Sequence, residues 1–463
     1  MHKDLTQGKI FSTIFRLALP IAGGQVMHMA YNLLDMFWIG LVSGDAITSV
    51  GIAGLFMWLS VGLMLIGRVG AEVGVAQARG RGDTVAAYRY SRTTVYIAAV
   101  LGTAYGIFLI VFRTPLIGLF NFQAAHIALD AANYTAITAV GMPAMFISSA
   151  IGGAFVASGN AKTPLLISAG GLILNMILTP LLVFGFGLGV VGAAFASIIA
   201  QYTVLVTSIF ALKRFKSRPF AEYRIFTKDI ISDFRDGIAR DIFKLTIPIC
   251  IENTIFPLLS MVTTSFEVGF GDFIPALTRV GTQVESLSWL VGAGFGAALT
   301  AFVGQNFGAG EHERISKAVK YTTGFLAGWG LIVTLVMWFG GEIVFGIFLS
   351  GYAIYPERFE LFLMFMRILA VCQIFANLEF VAGNAFRGKG RPLPPSIVGI
   401  ASNIIRVPLA FALSRTSLGV LGIWAAISFT AALRGICSCA WYFIDEYREK
   451  KLKRSEPMLL SSE

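Results

Sequence analysis

Long apolar segments, separated by short polar loops, make up most of the chain. A segment of about 20 apolar residues is long enough to cross a bilayer as a helix. We predict such segments at roughly 13–42, 48–76, 93–112, 131–157, 164–185, 190–212, 243–268, 276–304, 321–349, 360–386, 393–414 and 418–444. The pattern predicts an all-α polytopic membrane protein with about twelve transmembrane helices.

The two halves of the chain resemble each other. A polar connector at 213–242 separates two sets of about six spans. Four motif pairs recur in order with a displacement of 228 or 230 residues: FRLALP (Phe15–Pro20) and FKLTIP (Phe243–Pro248), QARGRGD (Gln77–Asp83) and QNFGAGE (Gln305–Glu311), Asn175/Pro180 and Asn403/Pro408, and LGVVGAA (Leu188–Ala194) and LGVLGIW (Leu418–Trp424). Because equivalent positions share a membrane side, the internal repeat is parallel. We predict an N-terminal lobe (1–212), a cytoplasmic connector (213–242), a C-terminal lobe (243–446) and a cytoplasmic tail (447–463).

The composition supports a membrane protein and the charge pattern suggests its orientation. Hydrophobic residues make up 56% of the chain and charged residues 13%, whereas soluble domains contain about 25% charged residues. The net charge of +10 would suit nucleic acid, but Lys and Arg recur on alternate loops instead of forming one patch. This positive-inside distribution predicts a cell-membrane protein with both termini cytoplasmic and no nucleic-acid partner.

The sequence offers little for enzyme chemistry. The four His residues are scattered, no catalytic triad or metal-ligand cluster can be assembled, and there is no Walker A motif. The four Cys residues form no CxxC pair, and we interpret them as packing residues. We therefore expect no enzymatic activity, cofactor or bound metal. Two six-helix lobes with a central cleft favour a secondary transporter, and no filter-like segment indicates a channel.

One carboxylate, Asp35, lies in the otherwise almost entirely apolar run MAYNLLDMFWIG. A charged side chain at the centre of a membrane helix costs about 2.5–3.5 kcal/mol on insertion scales, so such a residue is a functional candidate by default.

A family resemblance rests on several motifs taken together. Pro20 with Asp35, QARGRGD after the second span, and NMILTPLLVFGFGLGVVGAAFAS across the fifth and sixth resemble the multidrug and toxic compound extrusion (MATE) family. RVGTQVESLSWL in the eighth span resembles its DinF-like branch. The resemblance covers almost the whole chain. It implies a two-lobed, alternating-access antiporter that exports small amphiphilic, often cationic organic compounds in exchange for protons or sodium. We expect it to act as a monomer in the bilayer.

The resemblance also implies an ion-coupling site in the N-terminal lobe. Asp35 would bind the ion together with Asn175, a fifth-helix aspartate and a sixth-helix hydroxyl. Ser197 stands at the hydroxyl position, whereas Thr179 replaces the aspartate. The alternative is a buried Asp35 that bends the first helix without titrating, held by hydrogen bonds to Asn175, Thr179 or Tyr31.

Helix geometry agrees with a common depth for these side chains. At ~1.5 Å per residue, Asp35 lies ~22 Å beyond Pro20, while Thr179 and Asn175 lie ~22 Å and ~16 Å beyond Pro164 on a helix that runs the same way. Thr179 and Asn175 are four residues apart and therefore share a helix face. All three side chains can converge in the outer half of the bilayer.

A single carboxylate favours protons over sodium as the coupling ion. Two neighbouring carboxylates can share a proton, whereas a lone Asp35 depends on desolvation. With only amide and hydroxyl oxygens beside it, Asp35 makes a weak sodium site. We predict proton coupling. Sodium coupling, and coupling through other acidic residues, remain the alternatives.

Other charged residues lie within the predicted spans. Arg68 and Glu72 are four residues apart and can pair on one helix face. We predict a structural pair, with gating or substrate binding as the alternative. Glu285 lies within the eighth span and is a candidate for substrate binding or gating. Glu252 and Glu379 either face the cleft and attract cationic substrates or form structural hydrogen bonds.

Two other functions are compatible with the sequence. A flippase for a lipid-linked sugar or lipid of the same superfamily ranks second. Such relatives often have extra spans or a cationic cleft, whereas this chain has about twelve predicted spans and several intramembrane carboxylates. A non-transporting scaffold or sensor is disfavoured by the intramembrane charges.

Overall fold

The apolar segments form long helices. The structure is a computed structural model that describes residues 4–120, 124–214, 230–271, 273–349 and 356–460; the side chains of 31–33, 214, 230, 231, 276 and 452–460 lie outside this description. Within the described ranges the regular elements are helical, and no strand occurs.

The first half of the chain contains seven long helices and one π-helical turn. They are α1 (Ile10–Gly40), α2 (Gly44–Gly80), α3 (Thr84–Gly118), α4 (Ala125–Ala139), α5 (Met142–Ala157), α6 (Lys162–Pro180), the π-helical turn (Leu181–Gly185) and α7 (Gly189–Arg214). The remainder comprises α8 (Ile230–Arg235), α9 (Ile238–Val268), α10 (Ile274–Gly308), α11 (His312–Phe339), α12 (Gly341–Phe348), α13 (Pro356–Ala370), α14 (Gln373–Gly388), α15 (Leu393–Ser414) and α16 (Val420–Leu460).

The prediction of about twelve spans is confirmed. Among the described residues, 11 helices are long and apolar enough to cross a membrane, or up to 12 if the bent pair α4–α5 is one span. The predicted span 131–157 is therefore two helices, bent by 46°. Pro143, near the start of α5, cannot donate to the Ala139 carbonyl. That carbonyl packs so closely on Gly106 that a Cβ there would lie 2.7 Å from it.

The chain divides into two compact units. The first unit is Met1–Thr254 with Thr300–Ile315 and Gly388–Gly390, and the second is Ile255–Leu299, Ser316–Arg387 and Arg391–Glu463. The predicted lobes and connector have different bounds and stay predictions, and residues 215–229 of the connector lie outside the described ranges. At the end of the connector, α8 is held on α3 by Asp233, which is fully buried and accepts from Arg89 Nε at 2.6 Å and Arg92 Nε at 2.9 Å.

Helix boundaries define the register of the internal repeat. Both ends of α1 and α9 are displaced by 228 residues (10 to 238 and 40 to 268). After α11 the displacement is 231: α5 and α14 begin at 142 and 373, and α6 and α15 at 162 and 393. The glycines Gly159 and Gly390, which share a φ of 77°, show the same displacement. In this register Asn175 corresponds to Arg406, whereas the motif match pairs it with Asn403.

The two glutamines of the repeated Gln-x-x-Gly motifs bind helix ends within the first unit. Gln77 Nε2 donates to the Gly388 carbonyl at 2.9 Å, and Gln305 Nε2 donates to the Ala157 carbonyl at 2.6 Å. Gln305 Oε1 also accepts from the backbone N–H of Leu5 at 3.0 Å. Each glutamine thus satisfies a carbonyl at the C-terminus of a helix from the other half of the chain.

Candidate ion-coupling and substrate sites

Asp35 lies near the end of α1 and contacts α6. Its carboxyl group is within side-chain hydrogen-bonding reach of Thr179. The other carboxyl oxygen, Oδ1, is buried and has no hydrogen-bond partner among the residues that the structure describes. The side chain of Tyr31, a possible partner in the structural alternative, lies outside the described residues. Within the described residues, the hydrogen-bonding neighbour of Asp35 is thus Thr179, the residue that replaces the expected aspartate.

Thr179 belongs to a line of buried polar side chains. Thr179 Oγ1 donates to Asn175 Oδ1 at 3.0 Å, and Asn175 Nδ2 donates to Ser197 Oγ at 3.3 Å. Thr179 is fully buried, Asn175 is 2% exposed and Ser197 7%. The four residues expected to surround the ion are thus connected, and they link α1 to α6 and α6 to α7.

The local sequence of α6 explains how this site is built. Asn175 and Thr179 are one helical turn apart and so project from one face. Pro180 follows, and because it has no N–H it leaves the Met176 carbonyl without its helical donor. The chain then widens into the π-helical turn Leu181–Gly185, a deviation that is frequent at functional sites.

The directions of these hydrogen bonds depend on one proton. A threonine hydroxyl has a single proton to donate. If Thr179 donates it to Asn175, as the 3.0 Å contact between Thr179 Oγ1 and Asn175 Oδ1 allows, a hydrogen bond between Thr179 and Asp35 requires a protonated Asp35. If Asp35 is ionised, Thr179 must turn its proton to the carboxylate, and Asn175 Oδ1 loses its donor. The four side chains thus place one ionisable group, Asp35, beside a line of hydroxyl and amide groups on α6 and α7.

The same oxygens offer limited coordination to a cation. Asp35 provides the only carboxylate of the four residues, beside the oxygens of Asn175, Thr179 and Ser197. Among the described residues, no group of three or more His, Cys, Asp or Glu side chains could hold a metal ion. The chemistry of the four side chains fits proton binding better than cation coordination.

Arg68 and Glu72 form the expected pair on α2. Arg68 Nε donates to Glu72 Oε1 at 3.1 Å. The Glu72 side chain is 6% exposed and that of Arg68 is 29% exposed. The predicted pairing is confirmed. An ion pair of this kind neutralises the buried carboxylate, and a role in gating or substrate binding stays a prediction.

The other three predicted glutamates have different surroundings. Glu252 is buried on α9 in the first unit. Glu285 on α10 is buried in the second unit, where its Oε1 accepts from Gln373 Nε2 at 3.1 Å. Glu379 on α14 forms an ion pair with Arg434, with 2.6 Å between Oε2 and Nε. In the second unit, Glu379 is thus neutralised by an arginine, whereas Glu285 is bound by an amide.

Three charged residues in the second unit were not predicted. Arg406 and Arg434 lie in the apolar stretches SNIIRVPLAF and AALRGICS of α15 and α16, and Glu267 lies in TTSFEVGF of α9. Glu267 Oε1 accepts from Trp424 Nε1 at 3.1 Å, and its Oε2 is buried without a partner among the described residues. Asp35 was identified as a charged residue within an apolar span. The same criterion would also have identified these three residues.

Comparisons with known proteins cover nearly the whole chain. The MatE family model matches residues 20–181 and 248–412. The Probable multidrug resistance protein NorM of Thermotoga maritima is 24% identical over 461 residues, which cover 97% of this chain and 95% of the relative. The Probable multidrug resistance protein YpnP of Bacillus subtilis is 23% identical over 451 residues, with 97% and 98% covered.

The fold is also shared with solved structures. A crystal structure of MATE in the straight conformation matches with a TM-score of 0.87 at 20% identity, and the match covers 97% of this chain and 98% of that one. At this identity the likeness concerns the fold alone.

Proposed function

Because the chain belongs to the MatE family, a family of multi-pass membrane transporters and not of enzymes, we propose that it is a secondary active multidrug antiporter. It exports small amphiphilic, cationic organic compounds and takes up protons in exchange. The names of its relatives in Thermotoga maritima and Bacillus subtilis support multidrug export. The DinF-like branch stays a prediction.

The contact between Asp35 and Thr179 is the observation on which proton coupling rests. A carboxyl group with one buried, unpartnered oxygen is poorly stabilised when ionised, since a buried charge needs compensating hydrogen bonds or a counter-charge. The protonated form instead donates to Thr179 and completes the line to Asn175 and Ser197. Protonation therefore favours close packing of α1 on α6, and proton loss opposes it.

Transport follows from this preference if substrate binding and protonation favour different arrangements of α1. An ion shifts a conformational equilibrium only by its differential affinity for the two states. A proton that binds Asp35 from outside stabilises the arrangement described above, and its release to the cytoplasm allows the next cycle. Each inward proton can thus drive one step of alternating access.

Sodium is the less favoured ion because the site contains one carboxylate. Its remaining oxygens come from an amide and two hydroxyls, and two of these already bond each other at 3.0 Å. A sodium ion would have to displace that hydrogen bond, whereas a proton on Asp35 preserves it.

The distribution of basic loops supports an orientation with both termini cytoplasmic. Arg81, in the exposed loop after α2, lies on the proposed cytoplasmic side, and Thr416, in the exposed loop after α15, lies on the outer side. In a cysteine-free background, a membrane-impermeant thiol reagent should label Thr416→Cys but not Arg81→Cys in intact cells. The reverse pattern would overturn the orientation.

The proposed antiport is tested in proteoliposomes that contain a fluorescent amphiphilic cation. Proton and sodium gradients are imposed separately, each with the membrane potential clamped. The proposal expects substrate transport against its own gradient when a proton gradient is present, and none with sodium alone. Transport driven only by sodium, or equal rates without any gradient, would contradict it.

A further inference from the structure

An arginine lies deep in an apolar helix of the second unit. Arg406 is on α15, ~20 Å along the helix from Leu393 at ~1.5 Å per residue. An arginine at such a depth costs about 2.5–3.5 kcal/mol on insertion scales, and intramembrane charges of this kind mark partners or substrate pathways. Its side chain is buried, with 6% of its surface exposed.

Arg406 is oriented by its neighbours but not neutralised by direct contact. Its Nε donates to Thr430 Oγ1 on α16 at 3.0 Å, and its Cζ lies 5.7 Å from the centre of the Phe256 ring. Among the described residues, no carboxylate forms an ion pair with it. With Nε used by Thr430, a guanidinium still carries N–H donors on Nη1 and Nη2, the pair whose geometry matches a carboxylate bidentately.

The charges around Arg406 balance without a ligand. Glu285 lies within electrostatic range of both Arg406 and Arg434 but accepts its hydrogen bond from Gln373. Arg434 is paired with Glu379. Two guanidinium groups and two carboxylates, if all are ionised, leave this cluster neutral. A ligand with no net charge keeps it neutral, and the separated Arg406 and Glu285 offer one group of each sign.

Several buried amide atoms near this cluster also lack partners. Asn403, 1% exposed and one helical turn before Arg406, has neither its Oδ1 nor its Nδ2 satisfied among the described residues. Gln373 Oε1 and Asn377 Oδ1 are likewise buried without a partner. Gln373 binds Glu285, and Asn377 Nδ2 donates to the Gln373 carbonyl at 2.9 Å. Buried amides are normally satisfied, so this group of atoms indicates a polar ligand.

The repeat register relates this place to the proposed ion site. Arg406 is 231 residues after Asn175, the displacement by which α5 and α6 precede α14 and α15. Asn175 reaches from α6 to Ser197 on α7, and Arg406 reaches from α15 to Thr430 on α16. The second unit thus repeats the helix-to-helix link, with a cation in place of a neutral amide.

We propose that the second unit contains a binding site for the carboxylate of a zwitterionic amphiphile, with Arg406 as its anchor. Phe256 provides an aromatic wall for the apolar part of the ligand, and Asn403 hydrogen-bonds its polar atoms. The new element is the place and chemistry of this anchor, and its role in transport rests on the proposed function.

The test compares two dyes that differ in one group: a rhodamine with a free carboxylate and the same rhodamine as its methyl ester. Equilibrium binding to purified protein in detergent is measured by fluorescence polarisation for the parent, Arg406→Gln and Arg406→Lys. Loss of charge-assisted hydrogen bonds should weaken binding of the carboxylate dye about tenfold or more in Arg406→Gln. Arg406→Lys should give an intermediate loss, because lysine keeps the charge but not the fork. Ester binding should not change.

Arg367→Gln is the matched control, since Arg367 is an exposed arginine of the same unit; both dyes should bind it as they bind the parent. If Arg406→Gln weakens the binding of both dyes equally, or weakens the binding of neither, the proposed site is wrong.

If that variant does not fold, a competition experiment on the parent protein decides. An unlabelled aromatic zwitterion should displace the carboxylate dye and its methyl ester should not; displacement by both would overturn the proposal. No ion gradient is used, so failure of antiport would not affect the result.

Discussion

Asp35, Thr179 and Asn175 form a line of side chains in which each hydrogen-bond direction fixes the next. If Thr179 gives its proton to Asn175, it can only accept a hydrogen bond from a protonated Asp35. In the proposed mechanism, one proton on Asp35 decides whether the whole line is satisfied. This is a local device, because it needs no second titrating group.

Thr179→Asp tests that device by adding a carboxylate at the position of the hydroxyl. Two close carboxylates disfavour double ionisation. The pair therefore keeps one shared proton up to a higher pH than a single carboxylate does. The pH at which gradient-driven transport is half-lost should therefore rise relative to the parent, or sodium should begin to stimulate transport. The measurement is the pH and sodium dependence of dye transport in matched proteoliposomes.

Thr203→Val is the control for replacing a threonine on α7. Thr203 is exposed, and its hydroxyl donates to the Ile199 carbonyl of the same helix. Its pH profile should equal that of the parent. An unchanged pH profile and sodium response in Thr179→Asp would show that Thr179 does not adjoin the coupling group.

The sequence predicts the members of this line better than the cluster around Arg406. Depth along two helices and the i, i+4 spacing of Asn175 and Thr179 are local properties, and the family resemblance adds Ser197. The residues around Arg406 come from α10, α14, α15 and α16. Contacts between helices so far apart in the sequence leave no pattern within any one of them. The motif match also paired Asn175 with Asn403, because identity of residue type outweighed a three-residue difference in loop length.

The ends of α2 and α10 cross within the first unit at two glycines. A Cβ on Gly80 would lie 1.9 Å from the Gln305 carbonyl oxygen, and one on Gly308 would lie 2.1 Å from that of Gln77. Both neighbours are backbone atoms, which cannot rotate away. These helices can therefore approach only because both positions are glycine.

Gly308→Ala should destabilise the protein by about 1–3 kcal/mol, the usual range for overpacking in a well-packed interior. It should lower the midpoint of thermal unfolding in detergent. Gly324→Ala on α11 is the control, since a Cβ there meets nothing within 4 Å, and its midpoint should stay the same or rise slightly. Equal midpoints for parent and Gly308→Ala would contradict the close crossing.

At the scale of elements, the hydropathy pattern predicted the spans but not the break between α4 and α5. The signal was present as Gly141 and Pro143, yet both residues are tolerated in membrane helices. Pattern alone therefore cannot decide whether a proline bends a span or divides it.

At the scale of the molecule, the two halves share an order of helices but differ in buried charge. In the first unit, the carboxyl group of Asp35 on α1 adjoins the line of polar side chains on α6 and α7. The second has Arg406 at the position that corresponds to Asn175, and at the position 228 residues after Asp35 it has Thr263. We infer a division of roles in which the first half binds the proton and the second contributes to substrate recognition.

The central claim is that Asp35 is the proton-coupling group, and Asp35→Asn tests it most directly. Asparagine keeps the size of the side chain but cannot titrate. Dye transport is measured in proteoliposomes under an imposed proton gradient over a range of pH, alongside equilibrium dye binding and size-exclusion behaviour in detergent. The account predicts a monodisperse variant that binds the dye but whose transport falls to the level of protein-free vesicles at every pH. Gradient-driven transport by Asp35→Asn with the rate and pH dependence of the parent would contradict it.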